Sequence, residues 1–183
     1  MTLFDEYKTV NLVCNILEKS KNNTENYVKI IHLLYLIDRR MIELHDQVMT
    51  RDHYASMTMG PVLCSTLCLI GQHPCEIPSK KPDYWSIYIK SDKTTVSLRH
   101  ENQRSHEFSP MEARVIEQVL ADHGAMSPIE SIKYMTNPDN IPEWTDPRPY
   151  GILQLPICRI LRFLGKGLEV YQALEERYEV SLF

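Results

Sequence analysis

Apolar positions at the start of the chain fall three or four residues apart: Leu3, Tyr7, Val10, Val13 (or Cys14) and Leu17. That spacing predicts a helix over 3–18, with Thr2 and Asp5 forming an approximate capping box. A polar turn follows at 19–23. Thr24 then opens the longest predicted helix, which runs to about Asp46. Between Tyr27 and Ile37 it is apolar almost all round, so it should be the central, buried helix. Met59-Gly60-Pro61 reads as another helix start, with Gly60 at the cap and Pro61 at the first position, where its missing N–H costs nothing. The uncharged run from Val62 to Ile70 would form this helix, and Gly71 would end it.

The period changes after a loop holding Pro74, Pro78 and Pro82. Trp85, Ile87 and Ile89 alternate with Ser86, Tyr88 and Lys90. Beyond Ser91-Asp92-Lys93, Val96 and Leu98 alternate with Thr95, Ser97 and Arg99. Period two on both sides of a short turn predicts a β-hairpin with one apolar face. An isolated hairpin is marginal in water, so this one should pack on the helices.

Two helix starts of one design follow, Ser109-Pro110-Met111-Glu112 and Ser127-Pro128-Ile129-Glu130. Each places Ser at the N-cap, Pro at the first position and Glu at the third. The first helix should run through Leu120 and stop near Gly124, and the second should run through Met135. Pro138, Pro142, Pro147 and Pro149 make 137–149 an extended connection that carries Trp144. Pro156 opens a helix with Ile157, Ile160, Leu161 and Leu164, closed by Gly165. Leu168, Tyr171, Leu174 and Tyr178 mark a last amphipathic helix. The expected fold is mainly α: one compact helical domain over 1–183 around a central buried helix, with one small β-hairpin.

Composition narrows the partners. Hydrophobic residues make up 43% and charged residues 24% of the 183, which fits an ordered globular domain. The net charge of -4 argues against nucleic acid as the main partner, because that role usually brings a surplus of Lys and Arg. The basic clusters, Arg39-Arg40, Lys80-Lys81 and Arg159, Arg162 and Lys166, are small. The amino-terminal residues do not read as a signal peptide, and the longest apolar stretch is too short to span a bilayer. The five cysteines read as reduced thiols. A soluble, cytoplasmic protein without a membrane partner is expected.

Catalytic and metal patterns are weak. His45-Asp46 with His32 suggests a metal phosphohydrolase, but His32 and Asp46 would lie roughly 21 Å apart along one helix. Metal ligands must converge to about 2 Å from one ion. Cys64, Cys68, His73 and Cys75 are zinc-ligand types at a spacing that matches no strong zinc pattern, and Cys64 and Cys68 share a helix face with Leu67. There is no Gly-rich phosphate loop, no G-x-S-x-G elbow and no H-E-x-x-H. No catalytic residue, cofactor or metal is therefore expected. Asp38, followed by Arg39 and Arg40, admits two readings. One is a helix-surface ion pair of little consequence. The other is a partly buried group, Asp38 or Arg39, that fixes the segment from Tyr54 to Pro61.

The run from Lys29 to Arg39 resembles the "K-h-h-Y-L-a-D" helix (h apolar) of the Panacea domain, the SocA-like antitoxin domain of bacterial and phage toxin–antitoxin pairs. The resemblance continues in order through the segment that starts at Arg51 and ends in Met57-Thr58-Met59-Gly60-Pro61-Val62, then Phe108-Ser109-Pro110-Met111-Glu112, His123-Gly124-Ala125-Met126-Ser127 and Pro142-Glu143-Trp144. It is strongest over 27–145. At 135–140 the chain departs from the Thr-His pair the family often has. The resemblance implies a non-enzymatic antitoxin that binds and neutralises a toxin encoded nearby, with homo-oligomers open. Asp38, Arg39, Tyr54, Met57, Met59, Pro61 and Trp144 are the candidate partner-binding residues. Adaptable Met and anchoring Tyr and Trp are types found at interfaces, and core packing is the alternative for each. The competing functions are a DNA-binding autorepressor of its own operon and a metal-dependent hydrolase.

Overall fold

The computed structural model describes residues 4–71, 84–99 and 107–178. Thr2, Leu3, the Pro74–Pro82 loop, His73, Cys75 and Lys80-Lys81 lie outside the described residues, as does the side chain of Tyr178. The fold is mainly α, as expected, but its β content among the described residues is two small sheets of three strands each, more than a single hairpin.

Helix α1 (Glu6–Glu18) starts where Asp5, as the N-cap, accepts a hydrogen bond from the Lys8 amide at 2.9 Å. The central helix α2 (Tyr27–His45) begins three residues later than expected. Thr24–Asn26 forms strand β1 instead, and Asn26 caps α2 by accepting from Val28 N at 2.9 Å. Those three polar residues show no strand pattern of their own. Their conformation follows from pairing with a strand seventy residues on. Helix α2 holds Ile30, Ile31, Leu34, Tyr35 and Ile37 fully buried and packs on helices from both ends of the chain.

Gly60 and Pro61 do not start a helix. Strands β2 (Tyr54–Met57) and β3 (Gly60–Leu63) form a hairpin with Met57 opposite Gly60 and Thr58–Met59 at its tip. Gly60 has φ +123°, outside the helical region. Pro61 stands opposite Ser56 on an edge strand, where its missing N–H faces away from β2 and breaks no ladder bond. Helix α3 (Cys64–Ile70) therefore starts three residues late and without a side-chain cap from its own N-cap residue. Asp52 supplies the cap from the loop between α2 and β2, accepting from Ser65 N at 2.8 Å, Thr66 N at 2.8 Å and Thr66 Oγ1 at 2.7 Å.

The predicted hairpin over 85–99 is half right. Trp85–Tyr88 is a helical turn, α4, and only Ile89–Ser91 (β4) and Thr95–Leu98 (β5) pair as strands, with β1 completing the sheet on the far side of β5. Helices α5 (Pro110–His123) and α6 (Pro128–Met135) carry the full reciprocal capping boxes expected at Ser109 and Ser127. Strand β6 (Ile152–Gln154) then joins β2, giving the order β3-β2-β6. Helices α7 (Ile157–Phe163) and α8 (Leu168–Tyr178) close the chain, with Pro156 as the N-cap of α7.

Candidate functional site

Helix α2 buries polar side chains among its apolar ones, and each reaches a different part of the chain. Buried polar groups are costly unless they are hydrogen-bonded, so these partners fix where distant segments sit. His32 is fully buried, with Nδ1 2.7 Å from Ser131 Oγ on α6. Its Nε2 faces the backbone of Met59 and Gly60 without a partner of hydrogen-bond geometry. Burial lowers its pKa to about 4, so the ring is neutral at pH 7. A Cβ at Gly60 would come 2.7 Å from Met135 Cβ and 3.2 Å from His32 Nε2. Glycine at the hairpin tip thus allows α2, α6 and β3 to meet.

One turn on, Tyr35 and Arg39 share one acceptor. The Tyr35 hydroxyl donates to Glu143 Oε1 at 2.7 Å, and Arg39 donates through Nε to Oε1 at 2.6 Å and through Nη2 to Oε2 at 3.3 Å. Glu143 is fully buried. Burial and then the Glu143 charge push the Tyr35 hydroxyl well above its ordinary value.

Asp38, also fully buried, accepts from Met49 N at 2.7 Å, Thr50 N at 3.1 Å, the Thr50 hydroxyl and the Tyr54 hydroxyl at 2.9 Å. Burial raises its pKa, and these donors oppose that rise. The rings of Tyr35 and Tyr54 meet edge to face, centroids 5.6 Å apart. The helix-surface ion pair offered for Asp38 is therefore wrong. Arg39 pairs with Glu143 and Arg40 pairs with Glu43, while Asp38 ties the α2–β2 loop and the start of β2 to the helix.

The candidate residues gather around this frame but divide by exposure. Asp38, Tyr54 and Pro61 are buried, and Arg39 is mostly so. Met57, Met59 and Trp144 are half-buried and Thr58 is exposed. The Trp144 indole N–H donates to Met57 O at 2.9 Å, and Thr145 N donates to Ser56 Oγ at 3.4 Å, which straps the 143–145 segment to the hairpin. Beside this strap lies an open groove of about 460 Å³, lined by Thr58, Thr136, Trp144, Asp146 and Arg148.

Glu143, Thr50, Asp52 and Ser131 were missed by sequence reasoning. Glu143 and Asp52 had a signal, since each lies inside one of the matched segments, Glu143 between Pro142 and Trp144 and Asp52 just after Arg51. Two further motif residues, Glu112 and Lys29, make ion pairs within the fold. Glu112 pairs with Lys8 at 2.8 Å, joining α5 to α1, and Lys29 pairs with Glu25 at 2.6 Å.

His32 and Asp46 do not converge, since Asp46 caps the far end of α2 and pairs with Lys166 at 2.7 Å. Cys64 is buried and Cys68 half-buried on α3. Among the described residues, no group of three or more His, Cys, Asp or Glu could hold a metal ion, and no helix is long and apolar enough to cross a membrane.

A central helix whose buried polar residues bind three later segments, 49–54, Ser131 and Glu143, forms the frame of the domain. The ordered segments of that frame are those of a known family. The family model for the antitoxin SocA-like, Panacea domain matches residues 30–144, and the chain belongs to that family. No curated protein and no solved structure matches the chain.

Proposed function

We propose that this protein is an antitoxin that neutralises a toxin encoded beside it by binding it directly, without catalysis. Family membership supports an antitoxin role in general. The observation that carries the binding mode is the hairpin tip. Met57, Thr58 and Met59 sit beside Trp144 on a frame locked by Asp38, Arg39 and Glu143. A rigid backbone carrying adaptable Met and an anchoring Trp is the arrangement that lets a surface bind without losing much conformational freedom. In this reading Met57, Met59 and Trp144 touch the toxin, while Asp38, Arg39, Tyr54 and Pro61 hold them in place.

The test is genetic. The neighbouring reading frame, expressed alone, should arrest growth, and co-expression of this chain should restore it. A harmless neighbour, or continued arrest despite abundant folded chain, would defeat the reading.

A further inference from the structure

We propose that the outer edge of β6 accepts an extended segment of the toxin as a fourth strand of the β3-β2-β6 sheet. The inference rests on the antitoxin reading above.

Among the described residues, strand β6 pairs with β2 on one side only. Leu155 N donates to Tyr54 O at 3.0 Å, and the register sets Gln154 opposite Ala55, Leu153 opposite Ser56 and Ile152 opposite Met57. In an antiparallel pair, hydrogen-bonded residues alternate along the strand. Leu153 and Leu155 therefore point their backbone groups at β2. Ile152 and Gln154 point theirs away, and among the described residues none bonds to them. Two outward N–H groups and two outward C=O groups, two residues apart, match an extended backbone, because a partner strand offers the same alternation.

The surroundings favour a foreign strand over a second copy. Tyr150 and Gly151 both donate to Pro147 O, which makes a turn just before β6, and Pro156 lacks an N–H just after it. A two-fold pairing of β6 with itself would thus stop after three residues on each chain, far short of the roughly 1,200 Å² that a stable interface buries. Two copies would also bring together chains that each carry a net charge of -4.

A toxin strand meets the same two ends of β6, but as a flexible segment it is not bound to the shape of a second copy beyond them. It can continue along 144–151, the segment that leads from the Trp144 groove into β6. Two apolar anchors lie on that path, Trp144 and Tyr150, the latter 77% exposed. Asp146 and Arg148 at the groove pair with each other, so the groove calls for no fixed charge on its occupant. The segment that fits is extended and uncharged, with an apolar side chain set against Trp144.

The experiment uses the full chain with the co-expressed product of the neighbouring reading frame. Amide exchange is followed by NMR, residue by residue. Leu153 should be protected in the free chain, and Ile152 and Gln154 should gain protection only in the complex. Gln154→Pro deletes one outward N–H and leaves the β2 ladder whole, so it should weaken capture at least tenfold. Its melting temperature should stay within a few degrees of the parent. Gln154→Ala should bind as the parent does.

A complex that forms with Ile152 and Gln154 still exchanging freely overturns the edge and leaves the antitoxin reading standing. This result decides the matter even if Gln154→Pro does not fold. Equal loss in Gln154→Ala makes the side chain the contact and also overturns the proposal. Protection that rises with concentration of the chain alone identifies a second copy as the occupant, which overturns it too. Absence of any complex defeats the antitoxin reading itself.

Discussion

Asp38→Ala tests whether the frame under the hairpin is held as described. The alanine removes the acceptor of two backbone N–H groups, Met49 and Thr50, and of two hydroxyls, Thr50 and Tyr54. Thr50 is fully buried, Met49 is 3% exposed and Tyr54 is 6% exposed, so water does not replace the carboxylate without opening the loop. An unsatisfied buried donor costs ~1–3 kcal/mol, and four at the lower end come to about 4 kcal/mol. The relief from no longer burying a carboxylate, which raises the Asp38 pKa, offsets part of this. The expected net loss is ~3 kcal/mol. For a chain of this size that lowers the melting temperature by about 10 °C, at roughly 2–4 °C per kcal/mol.

Asp38→Asn keeps one accepting oxygen for the two backbone N–H groups and should lose about half as much. Urea unfolding followed by far-UV circular dichroism measures both variants. Toxin capture should fall together with stability, because the lost bonds order the start of β2 and through it the hairpin. An Asp38→Ala chain within 0.5 kcal/mol of the parent, a difference ordinary for surface changes, would refute the account.

Leu34→Ala, at a fully buried position of α2, should cost about 2–5 kcal/mol in the same unfolding experiment, and a cost below 1 kcal/mol would mean the helix is not the packed centre. Gly60→Ala combines a φ of +123° with a Cβ 2.7 Å from Met135 Cβ, so a loss of ~2–4 kcal/mol is expected; unchanged stability would show that the hairpin tip does not press on α6. His32 has its pKa lowered from 6.5 to about 4 by burial, so its contribution to stability is full above pH 6.5 and is lost as pH falls toward 4. That amounts to about 3 kcal/mol at 1.36 kcal/mol per unit. Urea unfolding from pH 7 to 4 should show this fall in the parent and not in His32→Asn, and parallel pH profiles would contradict it.

What the sequence determined by itself is whatever closes within a few residues or follows a helical period. The capping boxes at Ser109 and Ser127 were legible because donor and acceptor lie three positions apart. Helix α2 was legible as the buried centre because apolar residues surround it, and the five matched segments placed the chain in its family. The tertiary structure decided everything that depends on a distant partner. Thr24–Asn26 is a strand because β5 pairs with it, and Gly60-Pro61 forms a strand because β2 lies alongside.

The same holds for the candidate site. Asp38 and Arg39 were visible as polar residues at the end of an apolar run, but nothing local says that one is the acceptor for the 49–54 segment and the other the donor to Glu143, 104 residues away. Burial turns a charge from a solvated surface group into a fixed joint, and burial is set by what packs over it. The free edge of β6 is of the same kind. Three residues with little pattern become an edge strand because β2 takes one side of them and, among the described residues, no strand takes the other.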